Sequence, residues 1–213
     1  MFPALQLEIL DRFSALEAHF RSSKLLEGGV SQTARGLVFI QLYAVHEYLI
    51  QTGFRIAITQ IASHGHRFSE LKPSLLTVFL DSSFQSVQDC ASKRAWETRL
   101  QLVGRASSRG QITVPESAFP TDGTHFRHPN LLLIFDVLGI ERKLTVRRRH
   151  LFMIDEVVNH RNAIAHGSET AASIGRRYSR SDMWKRIRVM RKAALRWILL
   201  LSEHCNEPQR HLK

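Results

Sequence analysis

The sequence predicts an all-α fold, a helical bundle of four to five main helices with one inserted loop, and three features carry this. Ile9, Phe13, Leu16 and Phe20 recur at spacings of four, three and four, which places them on one helix face. Met183, Ile187, Met190, Ala194, Trp197 and Leu201 repeat the same alternation near the other end of the chain. Between about Thr33 and Ala62 apolar residues cover much of a helix circumference, a pattern that belongs at the centre of a bundle.

The first helix is expected from about Leu5 to Glu27, closed by Gly28 and Gly29, with Ser31 as N-cap of the central helix. Ser63-His-Gly-His66 then reads as a loop. Pro73 opens a short helix through Phe79, a polar turn follows, and Ala91 to Val103 forms another helix with Trp96, Leu100 and Val103 on one side. The least regular stretch begins at Gly104 and includes a β-prone Gln111-Ile-Thr-Val114, Pro115 and Pro120. It is read as an insertion loop, 104–128, because it is too short to separate two cores, so 1–213 is expected to be one domain. Pro129 suits the first helical position of a segment through Leu138, ended by Gly139. The helix that follows carries Leu151, Ile154, Val158, Arg161 and Ala165 in line. After Gly167 comes a short polar helix or turn, Ser168 to Ile174, and Ser179 with Asp182 forms a capping-box-like start for the last helix.

The 213 residues are 44% hydrophobic, ordinary for a fold with a real core, and carry a formal charge of +11. A pI near 10.5 favours polyanionic partners and a salt-dependent affinity for nucleic acid; the alternative is a merely basic surface. Cys90 and Cys205 are far apart and fit a reducing, cytoplasmic setting with neither a zinc site nor a disulfide framework. Met1-Phe-Pro-Ala, followed by Glu8 and Asp11, does not read as a signal peptide, and Leu37 to Ile50 is too short and polar for a membrane span. Neither a P-loop nor a dinucleotide-type glycine motif occurs, which counts against an NTPase or a dehydrogenase. His64 with His66, and His125 with His128, have the spacing of metal ligands but lack a completing set, so no metal and no cofactor is expected.

Asp155 to Gly167 is the stretch with chemistry. Arg161 lies in line with the apolar stripe, where a long cation needs a reason. Gly167 reads as the residue that ends the helix, placing His166 at a terminus that favours a cationic side chain. Arg161 and His166 diverge by roughly 140° and are separated by about 7.5 Å of rise, so they do not simply share a face. Asn162, four residues before His166, is placed to orient its ring. Glu47, near Tyr43 and His46, is the polar interruption in the central helix. It is read either as a buried carboxylate paired with some arginine or as the residue holding Arg161. Arg12 and His19 repeat an Arg-His spacing on a helix with no other polar cluster and are read as accidental.

The Arg161-Asn-Ala-Ile-Ala-His166 string resembles the Arg-x4–6-His signature of the HEPN superfamily. Gly36 to Tyr48, Glu70 to Ser74, Phe119 to Arg127, Arg161 to His166 and Gly175 to Arg180, in that order, are similar to prokaryotic MAE-type HEPN-like nucleases. The resemblance implies a metal-independent endoribonuclease of a bacterial defence or toxin–antitoxin system. It also implies a homodimer with a composite active site, and an antitoxin or companion protein as partner. Some HEPN toxins carry a tyrosine two residues after the histidine that a partner enzyme modifies; here that position is Ser168, so such silencing is not implied.

The residues suit that chemistry. RNA supplies its own nucleophile, the 2′-OH, so His166 can serve as general base or acid, Arg161 can hold the phosphate oxygens, and Asn162 can fix the ring or a substrate oxygen. Arg127, Arg147, Arg148, Arg176 and Arg177 are the candidate RNA contacts, and Arg142, Lys143 and Arg149 extend the basic run. Two rival classes stay open: a non-catalytic HEPN module that binds nucleic acid or a nucleotide, and a dimeric scaffold or antitoxin-like partner with Arg161 and His166 buried. Exposure of His166 separates them.

Overall fold

The computed structural model describes residues 1–115, 118, 126–141 and 148–213, with Arg148 described for its backbone alone. Among these, nine α-helices and no strand occur. They are α1 (Phe2–Ser22), α2 (Gly28–Ser63), α3 (Pro73–Phe79), α4 (Asp81–Asp89), α5 (Ala95–Ala106), α6 (His128–Leu138), α7 (Arg148–Ala165), α8 (Ala171–Arg176) and α9 (Arg180–Cys205). The all-α expectation holds, with more short helices than anticipated.

The chain forms two compact units. The first comprises the described residues of Met1–Gly53, His125–Leu131 and Lys143–Leu199, the second those of Phe54–Thr124, Leu132–Arg142 and Leu200–Lys213. In the first unit Ile9, Phe13, Leu16 and Phe20 of α1 are buried, as are Val38, Phe39 and Leu42 of α2, Ile154, Val157 and Val158 of α7, and Met183, Ile187, Met190, Ala194 and Trp197 of α9. The heptad-like seam read from the last helix is therefore core. Removing such faces from water is the dominant favourable term for a helix whose own propensity is modest.

Two glycines fix how α2 and α8 meet. A Cβ on Gly175 would lie 2.7 Å from the Gly36 nitrogen and 2.9 Å from the Gln32 carbonyl carbon, and one on Gly36 would lie 2.6 Å from the Ala171 carbonyl carbon. The obstructing atoms are backbone, so they cannot turn aside as a flexible side chain would. Arg35 Nε also donates to the Gly175 carbonyl at 2.9 Å. Gly175→Ala is therefore expected to destabilise the fold by about 1–3 kcal/mol or more, read as a lower urea midpoint at unchanged slope. An unchanged midpoint would show that the two backbones do not approach this closely.

Ser31 is not the N-cap expected for α2. Its N–H already bonds the Glu27 carbonyl at 3.2 Å, so the helix begins at Gly28, whose φ of 54° makes the entry turn. The polar turn expected after Phe79 is instead helix α4, with Asp81 in its first turn complementing the dipole. Gly104 lies inside α5, so the expected loop starts later, and Gln111 makes only an isolated bridge with Arg67. The rest of that loop, at 116–117 and 119–125, lies outside the described residues. Trp96, Leu100 and Val103 share a side of α5, and that side faces outward, at 80%, 74% and 58% exposure. Gly139 (φ 74°) and the reciprocal Ser179–Asp182 cap behave as the sequence suggests, whereas α6 begins one residue earlier than expected, at His128, so that Pro129 is its second residue.

In the second unit the C-terminal segment is strapped to residues 70–72. Lys72 N donates to the His211 carbonyl at 2.9 Å, Lys213 N donates to the Glu70 carbonyl at 3.0 Å, and Leu71 bridges Leu212. The strap carries a histidine cluster in which His66 Nε2 and His211 Nδ1 lie 3.2 Å apart, and the His204 and His211 rings are 5.1 Å apart. His64 packs against both His66 and His211. Burial is the first cause that lowers His204 to about 4 and His211 to about 3, and it lowers His66 too, with neighbouring Arg210, Lys72 and His64 adding to it. All three are held neutral in the folded state, whereas an unfolded histidine protonates near 6.5. Below that value the unfolded chain binds more protons, so the stability these groups contribute is complete above about pH 6.5 and falls as pH drops toward 4. His204 and His211 each contribute up to about 1.4 kcal/mol per pH unit in that window, and His66 acts in the same direction. Melting scans between pH 7.5 and 4.5 should show the loss, and His211→Asn should flatten it; a flat wild-type profile would mean the cluster is solvated.

Candidate functional site

α7 delivers its charged residues to three neighbours within the first unit. Arg161 leaves the stripe of Ile154 and Val158 at the level of Tyr43 and Glu47 on α2. Its guanidinium carbon sits 4.1 Å from the Tyr43 ring centroid, Nη2 lies 3.9 Å from Glu47 Oε2, and Nη1 donates to Asn162 Oδ1 at 2.9 Å. The Arg161 side chain is 25% exposed and Glu47 34%, so the pair is neither buried nor free in solvent. Tyr43 Oη donates to Glu47 Oε1 at 3.1 Å, and burial with Glu47 raises the phenol to about 12, keeping it a donor at neutral pH. An aromatic face beneath the guanidinium, a carboxylate at one edge and an amide at another fix its plane. Of its five N–H donors the two close contacts occupy few, which leaves an edge able to take a phosphate in forked geometry.

Asn162 thus turns its oxygen to Arg161 rather than to the imidazole four residues on. His166 follows the last residue of α7, its N–H bonding the Asn162 carbonyl at 2.9 Å, and Gly167 reverses the chain at φ 72°. Ser168 Oγ caps the freed Ala163 carbonyl at 3.1 Å. The His166 imidazole is exposed and makes no hydrogen bond or ion pair among the described residues. The structure therefore brings Arg161, Asn162 and Glu47 together, with Tyr43 beneath them, and leaves the His166 imidazole outside that cluster, with no side-chain hydrogen bond to it among the described residues.

The candidate RNA contacts divide. Arg176 is exposed, Arg177 is exposed and paired with Glu169, and Arg127 is half-buried. Arg147, like Arg142 and Lys143, lies outside the described residues, and so does the Arg148 side chain.

Next to Arg161 lies a network that the sequence reading missed. Glu156 accepts from Arg186 Nε at 2.6 Å and Nη2 at 2.9 Å, and from Tyr178 Oη at 2.8 Å; His160 Nε2 meets the same phenol at 2.6 Å. Burial pushes the Glu156 carboxyl up, but the hydrogen bonds from Arg186 and Tyr178 outweigh it and hold the group below its ordinary value. Burial lowers His160 and, with Glu156, raises Tyr178 to about 12. Arg186, on the same helix as the exposed Arg188, is only 9% exposed. The available signal was the four-residue spacing of Glu156 and His160, which puts both on the face that meets Tyr178 and Arg186. A second missed pair is His128 with Asp155: Nδ1 is 2.6 Å from Oδ2, and the His128 N–H donates to Oδ1 at 2.8 Å, capping α6.

Among the described residues no helix is long and apolar enough to cross a membrane, and no group of three or more metal-ligating side chains is placed to hold an ion. Neither a curated protein nor a solved structure matches the chain. A family model described as HEPN_MAE_28990/-like HEPN matches residues 11–183, which span α2, α7 and α8 with the Arg161 centre. With that match over most of its length, the chain belongs to the HEPN superfamily, in its MAE-type family.

Proposed function

We propose that the protein is an endoribonuclease that cleaves RNA by attack of the 2′-OH on the adjacent phosphate, at a site built from Arg161, Asn162 and His166. The observation that supports this most is the contrast at the C-terminal end of α7: Arg161 is fixed by Tyr43, Glu47 and Asn162, while the His166 ring just beyond the helix stands exposed, with no hydrogen bond or ion pair among the described residues. A scaffold role would call for the imidazole to be satisfied internally. Arg161 holds the non-bridging oxygens and offsets the charge of the phosphorane, Asn162 and Glu47 keep its plane, and His166 moves the proton. A second proton-transfer role remains, and a symmetric homodimer that joins two such sets fills it. The products are a 2′,3′-cyclic phosphate and a 5′-OH. A bacterial defence or toxin–antitoxin setting in the cytoplasm, with an antitoxin or companion protein, completes the reading.

The test is incubation of an end-labelled structured RNA pool with wild-type protein in EDTA. Cutting with cyclic-phosphate ends is expected. Retention of the RNA without any cutting would move the protein to a non-catalytic module that binds nucleic acid.

A further inference from the structure

We propose that the outward side of α5 is a docking surface for an acidic amphipathic helix of another protein. It does not depend on the Arg161 centre being catalytic.

Residues 81–111 fold into α4, the short turn Ser92–Arg94 and α5 without one buried side chain among them. The two helices have 9 and 12 residues. Helices that short are marginal in water by themselves and owe most of their stability to a covered face. One side of α5 is covered. It packs on α4 and on the turn Phe68–Glu70, with Ala95, Thr98, Leu102 and Ala106 half-buried and Arg105 reaching Ser83 Oγ at 3.3 Å. The opposite side, which carries Trp96, Leu100 and Val103, is bare.

The width of that bare stripe indicates what fits it. Spacings of four and three confine Trp96, Leu100 and Val103 to about 60° of the helix circumference. A helix that lies on a broad apolar surface, whether core or lipid, shows an apolar stripe of about 100° or more; a narrow stripe with this spacing is the seam one helix presents to another.

Charge then narrows the partner. Lys93, Arg94, Arg99, Arg105 and Arg109 are all exposed, and none of them is paired with a carboxylate among the described residues. Lys93 and Arg94 stand just before α5, where positive charge opposes the helix dipole, so they do not serve the helix itself. Arg99 borders the stripe, its guanidinium carbon 5.5 Å from the Trp96 ring centroid. A partner helix with carboxylates beside an apolar seam completes this edge. A second copy of the chain does not: a two-fold axis through the middle of the stripe sets Arg99 against its own copy, and each chain already carries +11.

The test uses the full chain and a labelled synthetic peptide helix with leucine along a heptad seam and glutamate on both flanks, read by fluorescence anisotropy. Saturable binding is expected, with slower amide hydrogen exchange in residues 81–111 when the peptide is bound. Trp96→Ala is expected to weaken Kd by roughly 30-fold or more at an unchanged melting temperature, since the ring is exposed. Lysine in place of glutamate in the peptide should abolish binding to the wild-type chain, and Arg99→Glu should restore part of it. Failure of the glutamate peptide to bind overturns the surface, and so does equal binding of the lysine peptide. A lower molecular mass of Trp96→Ala on sedimentation would overturn it too, by making the stripe a contact between copies of the chain. So would loss of flotation with phosphatidylserine vesicles in that variant while the peptide still binds, which would make it a lipid contact.

Discussion

Replacing His166 with alanine is expected to slow RNA cleavage by about 10²–10⁴-fold, the range that a positioned proton-transfer group contributes. The ring is exposed and makes no hydrogen bond or ion pair among the described residues, so the melting temperature should not move, and the lost rate can be assigned to chemistry rather than folding. Arg161→Ala should cost about 10²–10³-fold through loss of transition-state charge stabilisation. Arg161→Lys should not restore the rate, because an ammonium lacks the planar fork that Tyr43 supports from below and Asn162 holds at its edge. The double variant should be little slower than the worse single, since groups that act as a unit are not additive. Initial rates on an end-labelled substrate decide this. Cleavage by His166→Ala at the wild-type rate would remove the imidazole from the mechanism.

How much of this was legible follows from what sequence periodicity reports. It reports faces: the buried stripes of α1, α7 and α9 were readable because an apolar residue every three or four positions has one common explanation. It also located Arg161, because a cation in line with Ile154 and Val158 breaks that pattern. Its blind spot is the partner of a polar residue. Arg186 reads as one more exposed cation on a basic helix, and only the fold shows Glu156 opposite it. Glu47 could be narrowed to an arginine partner, but which arginine depended on α2 and α7 lying side by side. The close approach of α2 and α8 is a matter of backbone, so Gly36 and Gly175 appear in the sequence as family landmarks without a stated reason. Side-chain spacing on α5 was equally ambiguous: Trp96, Leu100 and Val103 are aligned, yet the alignment does not say whether the face is covered.

Glu156→Ala is expected to be among the most damaging substitutions to the fold, at about 3–5 kcal/mol, because it leaves the Arg186 guanidinium uncompensated where its side chain is 11% exposed. Among the described residues it would keep the Nη1 bond to the Asp182 carbonyl, at 3.0 Å, and its place over the Tyr178 ring, 4.2 Å from the centroid, neither of which neutralises the charge. Tyr178 would keep His160 at 2.6 Å and lose its carboxylate acceptor, so the cost does not end with the ion pair. For a chain of 213 residues such a loss lowers the melting temperature by roughly 6–20 °C. Arg186→Met in the same chain should recover much of the loss, since replacing both partners with apolar groups removes the stranded charge. A loss below about 1 kcal/mol for the single variant would place the pair in solvent instead. The functional consequence follows from position. Glu156 and His160 tie α7 to Tyr178 and Arg186, and Arg161 is the next residue along. A variant with this anchor removed, assayed well below its melting temperature, should bind RNA more weakly and cut more slowly even though no group proposed to touch the phosphate has been changed.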